Sequence, residues 1–149
     1  MKRIFVLFFI LISCNIFATW KTIETVDEFE EPTGDVRIFK YDTVGKSFVF
    51  IDKTKVGYDV GFYCYEFIGK KFDNSFIKIK IDDDKPIKLD GYVWTNDHTI
   101  SATLPDNLIQ KMKTGKTMKV VVEKYDSQTF LMKFYLSDFE ENFKKVKLK

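Results

Sequence analysis

"FIKIKIDDDKP", residues 76–86, decides how the fold is read. Ile77, Ile79 and Ile81 alternate with Lys78 and Lys80. That period of two is the pattern of a strand with one apolar face and one wetted face. Three aspartates and Pro86 then end the run, because neither residue type sits well in a sheet interior. Downstream, "IKLDGYVWT" and "HTISATL" carry similar alternation, the second stopping at Pro105. "PDNLIQKMKTG" then changes period. Asp106 or Asn107 serves as cap, Leu108, Ile109 and Met112 form an apolar face, and Gly115 is the stop, which predicts a short helix. "TMKVVVEKYD" at 117–126 and "TFLMKFYL" at 129–136 predict a hairpin over a tight turn. "SDFEENFKKVKLK" opens with a capping box, Ser137 and Glu140. Its helix is expected over 138–146, with Phe139, Phe143 and Val146 on one side.

Upstream the same logic holds. "VGFYCYEFI" at 60–68 reads as a strand apolar on both faces, followed by the turn "KKFDNS". "VRIFKYD" at 36–42 and "SFVFIDK" at 47–53 flank the turn "TVGK" as a hairpin. "DEFEEPTGD" at 27–35 reads as an acidic loop, and "TWKTIETV" at 19–26 as a first strand. The total is about eight strands and two short helices, with no βαβ rhythm. This predicts a mainly β protein with two short helices: an antiparallel β-sandwich, or a strongly bent sheet closed by the C-terminal helix.

The N-terminus reads as a bacterial export signal, residues 1–18, ahead of a β-rich domain over 19–149. Lys2 and Arg3 precede the apolar run Ile4–Ile12, which is far short of the roughly 20 residues of a spanning helix. Two processing routes fit. Cleavage after Ala18 releases a periplasmic or secreted chain. Cleavage before Cys14, in the lipobox-like Leu11-Ile12-Ser13-Cys14, gives a lipid-anchored envelope protein. The membrane is then a partner only if Cys14 is acylated.

Losing Lys2 and Arg3 takes the formal charge from +2 to zero. Arg37 is then the only arginine, and the lysines are interspersed with Asp and Glu. Nucleic-acid readers lean on arginine, so no nucleic-acid partner is expected. With Cys14 cut away or acylated, Cys64 is left as a single thiol, which cannot form an intramolecular disulfide.

Catalytic signals are sparse. His98 is the only histidine, no Gly-x-Ser-x-Gly elbow presents a serine, and no Gly-rich phosphate loop occurs. Asp82, Asp83 and Asp84 offer oxygens, but the glycine and terminal glutamate of a calcium loop are missing. We therefore expect no catalytic residues, no metal and no cofactor. Aromatics are abundant instead. In "GFYCYEF", Phe62 and Cys64 share one face and Tyr63, Tyr65 and Phe67 the other. Tyr63, Tyr65 and Phe67, with Trp94, are the candidate binding residues.

Several stretches together resemble the VasI-like accessory proteins of type VI secretion: Trp20 after the signal, "IKIDDDKP", "GYVWTNDHTISA" with Trp94, a helix, a Lys-Val-Val strand, and "FYLSDFEENF" at a strand-to-helix junction. "SFVFIDK" departs from that pattern in lacking a cysteine, and Lys80 stands where arginine is usual. The resemblance implies a β-sandwich-like fold and no catalytic residues. The functional expectation is a non-enzymatic extracytoplasmic binding or assembly module with a protein partner in the cell envelope. Two alternatives stand beside it: a carrier of a small apolar ligand, and an enzyme inhibitor or immunity-type protein.

Overall fold

The computed structural model describes residues 19–66, 68–69, 74–124 and 127–148. The expected export signal over 1–18, with Cys14, and Phe67 lie outside them. Among the described residues, nine strands form one antiparallel sheet: β1 (Lys21–Val26), β2 (Pro32–Tyr41), β3 (Phe48–Lys53), β4 (Tyr58–Tyr63), β5 (Asn74–Ile81), β6 (Ile87–Val93), β7 (Thr99–Thr103), β8 (Thr117–Glu123) and β9 (Thr129–Tyr135). Helix α1 (Asp106–Thr114) joins β7 to β8, and α2 (Phe139–Phe143) follows β9. The strand order is β1-β2-β3-β4-β7-β6-β5-β8-β9.

The sheet bends strongly. β4 and β9 stand far apart in that order, yet Phe62 and Phe134 meet with ring centroids 6.3 Å apart. Thr43, just past β2, donates its N–H to the Lys133 carbonyl of β9 at 2.9 Å. β1 and β9 do not pair, so the sheet is curled but not closed. Inside the curl lie Ile38, Val49, Ile51, Val60, Phe62, Ile77, Ile79, Val120, Met132 and Phe134, nearly all without solvent exposure. The expected mainly β, strongly bent antiparallel architecture with two short helices is the one observed.

Both helices pack on this inner side. α1 buries Leu108, Ile109 and Met112. Phe139, Phe143 and Val146 are buried, as their spacing predicts. Phe139 meets Trp20 edge-on at 5.0 Å, and Phe143 meets Tyr58 of β4 at 4.7 Å. Beyond α2, Val36 and Lys147 exchange two backbone hydrogen bonds, tying the chain end to β2.

Four local expectations are corrected. β2 begins at Pro32, inside the stretch read as loop: Gly34 takes φ 83°, and β2 carries two extra residues between the Glu24–Val36 and Val26–Pro32 pairs. β4 ends at Tyr63 rather than running to 68. Helix α1 is preceded by Pro105, and neither Asp106 nor Asn107 caps it with a side chain. Ser137 does not cap α2 either, and the helix is shorter than expected. The residue before α2 is Asp138, in the left-handed region at φ 60°. Its carboxylate accepts from the Trp20 backbone N–H at 3.1 Å and from Asn142 Nδ2 at 3.2 Å.

Candidate functional site

The outward face of the sheet over β2, β3 and β4 is aromatic. Alternation sends Ile38 and Lys40 inward and Arg37, Phe39 and Tyr41 outward on β2. On β3, Val49 and Ile51 point in, and Phe48, Phe50 and Asp52 point out. On β4, Val60 and Phe62 point in, leaving Asp59, Gly61 and Tyr63 outside. Register then lines these positions up. Tyr41 is opposite Phe48, Phe48 opposite Tyr63, and Tyr63 opposite Thr99 of β7. Phe39 is opposite Phe50, and Phe50 opposite Gly61.

The rings form one connected row. Phe39 and Tyr41 meet edge-on at 6.0 Å, and Tyr41 meets Phe48 at 5.8 Å. Phe48 and Tyr63 stack nearly parallel at 4.9 Å, and Tyr63 stacks on His98 at 5.9 Å. Phe39, Tyr41, Phe48, Tyr63 and His98 are all half-buried, so each keeps surface open to a partner.

Phe50 anchors the row. A Cβ on Gly61 would lie 2.5 Å from Cε1 and Cε2 of Phe50, and nearer still to Cζ, so the ring occupies the space that glycine leaves empty. Trp94 closes one side edge-on at 5.7 Å, and the Arg37 guanidinium covers it at 4.7 Å. Trp94 is fixed by donating Nε1–H to Ser101 Oγ at 2.7 Å. Arg37 is fixed by two 2.8 Å bonds to the Asp52 carboxylate. Burial raises the Asp52 pKa, and Arg37 opposes that rise. Beside this pair lies a polar groove of about 320 Å³, lined also by Asp35, Asp59 and Lys147.

Of the candidate binding residues, Tyr63 and Trp94 belong to this face. Tyr65 does not share it. The chain leaves the sheet after Tyr63, and Tyr65 stands 44% exposed against Phe130, with Lys46 over its ring. Phe67 is outside the described residues. Phe39, Tyr41, Phe48 and Phe50 were not singled out in the sequence. The signal was present in "VRIFKY" and "SFVFID", where aromatics fill the positions that a wetted strand face gives to polar residues.

Cys64, His98, Asp82 and Asp84 are engaged within the fold. Burial, reinforced by the nearby Asp42 and Glu66 charges, pushes the Cys64 thiol up to about 12. His98 Nδ1 lies 3.0 Å from the Cys64 carbonyl oxygen, and Asn96 Oδ1 accepts from the His98 and Thr99 N–H groups. The Asp82 carboxylate accepts from the N–H groups of Lys116 and Thr117 and from the Thr117 hydroxyl, clamping the end of β5 onto the start of β8. Those bonds hold its pKa below the usual carboxylate value. Asp84 pairs with Lys111. The three aspartates therefore serve a turn, and no group of metal-ligating side chains converges among the described residues.

Residues 74–147 match the family model of invasion associated locus B (IalB) proteins. The solved structure of invasion associated protein B from Bartonella henselae superposes with a TM-score of 0.57. It shares 8% identity, with 87% of this chain and 90% of that one covered, so the likeness is one of fold. No curated protein matches the chain. The IalB match corrects the VasI-like resemblance. The stretches that carried that resemblance are packing patterns: Ile79 and Ile81 fill the core, Trp94 holds Ser101, and Phe134 and Leu136 are buried. Any bent sheet of this kind needs such residues. No helix among the described residues is long and apolar enough to cross a membrane.

Proposed function

We propose that this is an IalB-like, non-enzymatic accessory protein that works outside the cytoplasm and engages a protein partner in the cell envelope through its aromatic face. One observation carries the reading: the row Phe39, Tyr41, Phe48, Tyr63 lies on the side of the sheet opposite both helices, half-open and in register. Aromatic side chains with a neighbouring arginine are the composition of binding hot spots. Their rings are held by one another, so little conformational freedom remains to be lost on docking. The partner best suited is a protein segment with apolar side chains and a polar flank that can face the Arg37–Asp52 pair. The export signal read in the sequence over residues 1–18 and the IalB match support an extracytoplasmic location.

A photocrosslinking amino acid placed at Phe39 or Tyr41, in cells, tests this. The expected result is one discrete adduct with an envelope protein. Excess unlabelled protein should compete it away, and Tyr63→Ser should remove it. The same probe at Thr129, on a distant strand, should give none. Adducts that are diffuse, or identical at all three positions, would refute the assignment.

A further inference from the structure

The other half of the same outer surface is basic rather than aromatic. β6, β5, β8 and β9 send Leu89, Ile77, Ile79, Val120, Val122, Met132 and Phe134 inward. Outward they send Lys78, Lys80, Lys88, Lys119 and Lys133. The register sets like charges against each other. Lys80 is opposite Lys119, Lys119 is opposite Lys133, and Lys78 is opposite Lys88. Like charges directly across a sheet are destabilising, so a fold does not accumulate them for stability. None of the five has a carboxylate within ion-pair distance among the described residues, although Lys40, Lys111, Lys124 and Lys144 elsewhere do. Lys78 and Lys88 rest over the Phe76 ring instead, and Lys133 over Tyr135. Asp90 and Glu123 are the acidic positions on this strand face. The formal charge of the chain without Lys2 and Arg3 is zero, so this excess is local. The acidic counterpart lies at Glu24–Asp35, in the β1–β2 hairpin.

Apolar side chains stand among the lysines. Leu131 is 64% exposed and lies in register with Val121, which is opposite Lys78. Tyr135 and Tyr92 are about half exposed at the margins. Lysines interleaved with exposed aliphatic and tyrosine side chains suit an anionic bilayer surface. The ammonium groups meet headgroup phosphates while Leu131 and the tyrosines enter the interface. A nucleic acid would call for arginine and stacking rings, and this face has no arginine. We propose that the β6-β5-β8-β9 face docks peripherally on anionic phospholipid membranes, which leaves the aromatic face free for its partner.

Vesicle co-sedimentation of the processed, purified protein tests the proposal. Phosphatidylcholine vesicles with and without about a third phosphatidylglycerol are compared. An acyl anchor at Cys14 would insert into both, so the difference between them reports the charged face. The protein should prefer the anionic vesicles, and the preference should fade with salt over the range where surface charges are screened. Lys80→Gln/Lys119→Gln/Lys133→Gln should lose about a hundredfold in affinity, from about fivefold per lysine. The same change at Lys55, Lys144 and Lys147 should lose far less. Removing opposed like charges should leave the melting temperature at or above that of the parent, which separates lost binding from lost fold. Leu131→Ser, at an exposed position, should weaken vesicle binding severalfold and leave binding to heparin unchanged. Equal binding to both vesicle types would overturn the proposal, as would a triple variant that binds like its parent. Tighter binding to heparin or single-stranded DNA than to anionic vesicles would assign the face to a soluble polyanion instead.

Discussion

Replacing Gly61 with alanine tests whether the Phe50 ring truly lies on the bare backbone of β4. An added Cβ would fall against the ring, 2.5 Å from Cε1 and Cε2, so Phe50 must swing away. Phe50 is now 4% exposed. Losing about half of that burial costs about 1–1.5 kcal/mol, on a scale of about 1.5–3 for a fully buried side chain. The Trp94 edge contact and the Arg37 stacking add about 0.5–1 kcal/mol each. Against this, alanine regains about 0.5–1 kcal/mol over glycine in a strand. The net expectation is a destabilisation of about 1–3 kcal/mol, read from the urea midpoint at unchanged slope. The decisive arm is the double variant. With Phe50→Ala the space over Gly61 opens, and Gly61→Ala should then become neutral or stabilising. That reversal of sign is a coupling only neighbours show. If Gly61→Ala stabilises the protein with Phe50 present, the ring does not occupy that space and the anchored aromatic row is refuted.

Four further outcomes are expected. Ser137→Ala should change stability by less than about 0.5 kcal/mol, because this exposed serine does not cap α2. Asp138→Ala should cost about 2–4 kcal/mol in the same urea assay, since it removes the acceptor for Trp20 N–H and the carboxylate 4.0 Å from buried Lys40. Desolvation lowers the Lys40 pKa from 10.5, against the raising influence of Asp138. The unfolded chain is then the better proton binder between the lowered value and 10.5, so stability rises with pH across that window. Lys40→Met should flatten that alkaline rise, measured by thermal melts from pH 8 to 11. Cys64, buried and pushed up to about 12, should resist a thiol reagent at pH 8 until the protein is unfolded. Labelling of the native protein within minutes, located at the Cys64 peptide, would contradict its burial.

Much of the fold was legible because alternation reports burial directly. Ile77, Ile79 and Ile81 on β5, and Phe130, Met132 and Phe134 on β9, are buried where the period places them. The misreadings have physical causes. Cys64 and Ile68 are as buried as strand residues, so "VGFYCYEFI" looks like one strand. In fact the chain leaves the ladder after Tyr63 and is held by the neighbouring loop, with Cys64 N–H donating to the His98 carbonyl and Ile68 N–H to that of Asp97. At α2, the Ser-x-x-Glu spacing marks a cap by local chemistry alone. Asp138, not Ser137, flanks the helix, which starts at Phe139; its carboxylate is held by the Trp20 N–H, and no local pattern carries that long-range contact.

The candidate site was only half legible, because a surface is made by register and strand order. Tyr63 and Trp94 stand out singly in the sequence, but Trp94 reaches Phe50 only because β4 pairs with β7 rather than with β5. The lysines obey the same rule. Lys78 and Lys80 read as one wetted face of one strand, which every surface strand possesses. Their meaning changes when β8 and β9 bring Lys119 and Lys133 into the same row. Solvation of a single strand explains one or two lysines but not opposed, unpaired ones on adjacent strands. Likewise, β-propensity explains Phe48 or Phe50 alone, but not four rings in register on the side away from the core. One bent sheet, whose inner side is committed to its own packing, thus has an outer side divided by chemistry. The aromatic half is rigid and sparing of charge. The basic half sets lysines against each other across adjacent strands, an arrangement that does not arise from strand solvation alone.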